Sequence, residues 1–149
     1  MALDQRLSLI TLGTADMARA RAFYEGVLGW TPFFEVPTTC FYDLGGLVLG
    51  LYAHEGLQGE TRREPAAAPD AYRGFALAQN LRSVEAVDEA FARLKAAGAT
   101  ILAPPHKMEW GGYSGYAADP DGHPWEIAFN PGWTVLPDGR LDVTKGPDA

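Results

Sequence analysis

Cysteine is nearly absent from this sequence. One residue, Cys40, stands in a chain of 149, so neither an intramolecular disulfide nor a cysteine-rich zinc site is available. Positive charge is scarce as well. Twelve Lys and Arg against nineteen Asp and Glu give a net charge of −7, with no basic run. A general phosphate-binding surface is thereby excluded, and with it nucleic acid and anionic membranes as expected partners. Long hydrophobic runs are missing, so no segment reads as a membrane span. The opening "MALDQRLSLITL" lacks the basic region and small-residue cleavage site of a secretion signal, and a cytoplasmic location is the expectation. Gly-rich phosphate loops are missing too, because the glycines of "WGGYSGY" match neither GxGxxG before a helix nor a Walker pattern.

What is present suits one globular domain: 47% apolar and 21% charged residues. "LSLITLG" (7–13) reads as a strand. Thr14 or Asp16 then caps a helix on which Met17, Ala20, Tyr24, Val27 and Leu28 recur at helical spacing, and Gly29 ends it. Strands follow at 33–36, 39–44 and 47–53. Residues 55–73 are polar, carry Pro, Gly and Ala, and read as a linker. The order then repeats. A strand at 74–81 precedes a helix capped by Ser83, with Val84, Val87, Phe91 and Leu94 on one stripe and Gly98 closing it. Strands at 100–104, 112–119 and 124–130 complete the second half, and the tail after Pro131 reads as irregular.

The chain is therefore βαβββ twice: a first module at 5–54, a linker at 55–73, a second module at 74–131 and a C-terminal tail at 132–149. The expected class is α+β, with two tandem modules whose mixed sheets curl into a cup.

At the level of motifs, "TLGTADMARARAFYEGVLGW" resembles the opening of the vicinal oxygen chelate proteins, the superfamily of glyoxalases, bleomycin-resistance proteins and extradiol dioxygenases. "GGYSGYAADPDGHPWEIAFNP" resembles the final hairpin of the same superfamily, and the likeness spans about residues 5 to 131. It implies paired βαβββ modules around a cup that usually holds one divalent metal acting as a Lewis acid. It also implies four ligand positions. Here they fall on Leu9, on Gly50, on one of Gly74, Phe75 or Ala76, and on Glu126. Only Glu126 carries a donor, and sites of this kind need about three or four protein ligands. The expectation is a chain without a metal and without another cofactor.

Alternation in "PWEIAFN" sets Trp125, Ile127 and Phe129 on one face and Glu126 on the other. Taken alone, Glu126 reads as a solvated strand carboxylate. The resemblance turns it into the cup, where it is the candidate catalytic residue or ligand acceptor. Trp110 and Tyr113 flank Gly111 and Gly112, as a lip that stacks on a flat ligand or as part of a plain hairpin. With Tyr116, Tyr52, Leu9 and Gly50 they make up the candidate ligand contacts. The "DPDG" turn (119–122) reads as structural. Cys40 reads as a small buried hydrophobe, and His54, His106 and His123 read as exposed loop residues.

Two functions follow from this reading. One is a small-molecule protein that binds an apolar or aromatic compound in the cup without metal, pairing as a homodimer. The other is a metal-dependent lyase or dioxygenase of the glyoxalase type, with its metal on non-standard ligands such as His54, His106 and Glu126.

Overall fold

A computed structural model describes residues 3–64 and 68–144. The chain divides into two compact units, Met1–Pro65 and Ala66–Ala149. In the first, β1 (Leu9–Thr14) leads into α1 (Met17–Arg21), which continues as a π-helical segment, Ala22–Val27. The Asp16 side chain caps this helix by accepting from the Arg19 N–H. The π segment is marked by the Leu28 N–H donating to the Phe23 carbonyl, five residues back. β2 (Phe34–Val36), β3 (Thr39–Asp43) and β4 (Val48–Ala53) follow. They form a sheet of order β1-β4-β3-β2, parallel between β1 and β4 and antiparallel elsewhere.

Alternation sorts this sheet into two faces. Leu12, Cys40, Tyr42, Leu49 and Leu51 are buried with Ala20, Phe23 and Tyr24 of the helix, and this is the core of the unit. The opposite face carries Leu9, Thr11, Phe41, Val48 and Gly50. On it Phe34 stacks on Phe41, with ring centroids 5.3 Å apart.

Residues 55–73, read as a linker, open on a helix, α2 (His54–Thr61). Two glycines inside this helix make it a poor one by local propensity. It docks through small residues instead. The His54 ring covers Gly13, and the Tyr52 ring lies over Gly56 with its hydroxyl donating to Glu60 at 3.0 Å. Residues 65–67 of the linker lie outside the described residues.

In the second unit β5 (Leu77–Asn80), α3 (Val84–Ala96), β6 (Thr100–Lys107), β7 (Tyr113–Ala118) and β8 (Pro124–Phe129) repeat the first topology, with sheet order β5-β8-β7-β6. Only β5 and β8 run parallel. Ser83 caps α3 by accepting from the Ala86 N–H at 3.1 Å. The helix buries Val87, Phe91 and Leu94 on the sheet face that holds Ala117, Trp125 and Ile127. A Cβ added at Gly115 would stand 2.7 Å from Phe91 Cζ, so this strand needs a glycine to let α3 down onto it.

The tail, read as irregular, forms a short hairpin of β9 (Thr134–Val135) and β10 (Leu141–Asp142). Its Asp138–Gly139 turn is braced by Arg140 N–H groups on the Asp138 carboxylate, and Arg82 donates to the Leu136 carbonyl at 2.8 Å. Two-residue strands are too short to show alternation, which is why local pattern does not reveal them. Residues 145–149 lie outside the described residues.

Candidate functional site

The face of the second sheet turned away from α3 holds a cavity of about 720 Å³. Thr100 and Leu102 of β6, Tyr116 and Ala118 of β7, and Pro124 of β8 form its floor. The pairing of Thr100 with Ala118 and of Ala118 with Pro124 sets these side chains on one face. Residues 69–76, including Tyr72, Arg73 and Phe75, form one wall, and the turn carrying Asp119, Pro120 and Gly122 forms another.

The two walls are tied together. The Arg73 Nη2 donates to the Asp121 carbonyl at 2.8 Å, and its Nη1 lies 3.1 Å from His123 Nδ1. The Phe75 ring sits against the His123 ring. Gly122 has φ +85°, and a Cβ there would overlap the Pro69 carbonyl. Asp119 Oδ1 accepts from the Asp121 and His123 N–H groups at 3.0 and 2.8 Å. The turn read as purely structural is thus also a wall of the cavity. His123, expected in an exposed loop, is 4% exposed, because its ring is enclosed between Arg73 and Phe75.

Of the residues expected to contact a ligand, Tyr116 lines this cavity. Glu126 is its cross-strand partner on the same face. Burial, and after it the charge and hydrogen bonding of the Glu126 carboxylate, push the Tyr116 phenol up from its ordinary value. Tyr113 lies on the other face, where its hydroxyl donates to Asp88 of α3 at 2.7 Å. Trp110 is 52% exposed. It folds back over Gly112, leaving no room for a Cβ there, in a turn closed by the Met108 N–H donating to the Gly112 carbonyl. Leu9, Gly50 and Tyr52 belong to the first unit, on the sheet face away from its helix. Arg73, Tyr72 and Leu102 were not singled out from sequence. The first two end a polar stretch with no period, and the third sits beside a register shift of β6 that breaks its alternation.

The strand registers also bear on the metal positions. Thr11 pairs with Gly50 in the first unit as Ala78 pairs with Glu126 in the second, so Leu9 corresponds to Ala76. Of the three alternatives for that position, Ala76 is the one that stands two residues before Ala78, the strand partner of Glu126. Gly74 and Phe75 lie further upstream, and β5 itself begins at Leu77. A Cβ added at Gly50 would stand 3.0 Å from the Phe41 ring, which occupies the space where a ligand side chain would leave the strand. Leu9, Gly50 and Ala76 offer no donor. His106 is exposed on β6 with Nδ1 3.1 Å from the Pro104 carbonyl, and His54 opens α2 against Gly13. Among the described residues no three His, Cys, Asp or Glu side chains gather as a metal site requires. The donors present do not fit the four-ligand metal of the vicinal oxygen chelate pattern.

Comparison with solved structures finds the same architecture. A glyoxalase-related enzyme from Fulvimarina pelagi is 39% identical, with 93% of this chain and 97% of that one covered at a TM-score of 0.84. A glyoxalase/bleomycin resistance protein/dioxygenase from Nocardioides is 25% identical over 87% of this chain and 85% of that one, with a TM-score of 0.74. Lactoylglutathione lyase from Agrobacterium tumefaciens shares the fold at 23% identity and a TM-score of 0.65, over 85% of this chain and 95% of that one. Residues 6–127, both βαβββ modules up to the last strand, match the family described as the Glyoxalase/Bleomycin resistance protein/Dioxygenase superfamily, and the chain belongs to it.

Proposed function

We propose that this protein binds a small apolar or aromatic compound and does so without a metal. The cavity on the second sheet carries the reading. At about 720 Å³ it falls in the range of small-molecule sites. Its lining is chiefly apolar and aromatic, with few polar groups to orient a ligand. Three of the four metal positions bear Leu9, Gly50 and Ala76, which favours binding over Lewis-acid catalysis. A homodimer belongs to the same proposal. Phe33 and Phe34 beside Phe41 leave an exposed aromatic cluster on the first sheet, of a kind that association covers.

Native mass spectrometry of protein purified without chelator tests the function. The expected spectrum shows no stoichiometric metal, and an added or co-purified organic compound at one per chain. One tightly held equivalent of zinc, iron, manganese or nickel would overturn the metal-free reading.

The lyase or dioxygenase alternative keeps one observation in its favour: the 39% identical relative from Fulvimarina pelagi is described as an enzyme. In that reading the Glu126 carboxylate, beside Tyr116, acts as general base on a ligand seated above the sheet.

A further inference from the structure

Among the described residues lining the cavity, Arg73 is the one that is basic. Among the described residues its partners are both neutral, the Asp121 carbonyl and the His123 imidazole. A ring nitrogen that accepts from a guanidinium leaves the imidazole proton on Nε2, so His123 adds no negative charge. Arg73 Nε is buried out of reach of solvent with no hydrogen-bond partner, so a ligand meets this guanidinium through the remaining protons of Nη1 and Nη2. An arginine normally meets a carboxylate or phosphate through two parallel N–H groups, and a buried donor without a partner is costly. Here the guanidinium is held in place at a cavity wall by the Asp121 carbonyl and the His123 ring rather than by a carboxylate. Two carboxylates also line the cavity, Asp70 and Asp119. Asp119 is engaged by two backbone N–H groups of its own turn, and Asp70 is solvent-exposed.

We infer that the ligand is an anion: an aromatic or aliphatic carboxylate whose apolar body lies against Phe75, Leu102 and Tyr116, and whose charged end meets Arg73. This inference rests on the small-molecule function proposed above and names its ligand class.

A matched pair of probes tests it: 1-naphthaleneacetate and the neutral 1-naphthaleneacetamide, titrated calorimetrically into the full chain at pH 7. The acid is expected to bind about tenfold more tightly than the amide, as a charge-assisted pair would give. Arg73→Gln should bring the acid-to-amide affinity ratio, measured on the same variant, to about one, while Arg73→Lys should restore part of the preference. Because Arg73 also ties two walls together, the comparison of probes on the unaltered protein is the deciding one. Equal binding of acid and amide would overturn the anionic ligand and leave the small-molecule function standing. Binding of neither probe at millimolar concentration would overturn both.

Discussion

At the scale of single residues, the cavity rim depends on positions whose chemistry is set by their neighbours. Gly122 combines φ +85° with no room for a Cβ beside Pro69. Gly122→Ala should therefore lower stability by about 2 kcal/mol or more, read as a lower denaturant midpoint at unchanged slope. A wild-type midpoint in the variant would contradict the packing of residues 69–76 on this turn. Tyr113 offers a contrast. Its hydroxyl reaches Asp88 of α3 rather than the cavity, and this contact with the carboxylate holds its phenol above the ordinary value. Tyr113→Phe should shift the denaturant midpoint little and leave ligand affinity unaltered. A marked loss of affinity would place Tyr113 at the ligand.

Among elements, the first helix is tied to its sheet by a network of ion pairs and a hydrogen bond at the junction of α1 and the π segment. Arg21 Nε lies 2.6 Å from Glu25 and a second nitrogen of the same guanidinium pairs with Glu35 of β2, while the buried Tyr42 of β3 donates to Glu25 at 3.2 Å. The hydrogen bond from Arg21 holds the Glu25 carboxyl below its ordinary value, against desolvation. A depressed carboxyl contributes stability above its unfolded pKa and loses it as pH falls through the folded one. Glu25→Gln should thus cost about 1 kcal/mol at pH 7. The difference from the parent should begin to shrink below about pH 4.5 and vanish once the carboxyl is protonated in the fold. Denaturation curves from pH 7 to pH 2 provide the check, and a gap that widens toward acid would reject the assignment. The same elements enclose Cys40. It lies beneath this helix with no exposure, and burial raises its thiol pKa.

For the whole molecule, duplication is the organising fact. Both sheets run in the same order with the same single parallel pair, each with its helix on one face. The faces away from the helices differ in character. The second holds the cavity and the Tyr116–Glu126 pair, whereas the first presents Leu9, Phe33 and Phe34 to the exterior. Among the described residues no helix is long and apolar enough to cross a membrane. Light scattering over a concentration series should give twice the mass of the chain if that aromatic surface pairs. A single-chain mass at high micromolar concentration would remove the dimer from the proposal.

Hydropathy alternation and helical spacing are local, one-dimensional properties, and they sufficed for the paired modules. Eight strands and two helices lie close to where "LSLITLG", "FYEGVLG", "GYSGYAAD" and "PWEIAFN" place them. At the positions that the family resemblance assigns to a metal, leucine and glycine carry no donor whatever the fold. Three things were decided only by tertiary structure. Helix α2 forms on glycine seats supplied from β1 and from within the helix itself, a contact between residues 13 and 54 that no local propensity contains. His123 is buried because Arg73, fifty positions away, is stapled across it. The cavity is assembled from a polar stretch, a turn and alternate residues of three strands, so its chemistry belongs to their convergence in space rather than to any motif along the chain.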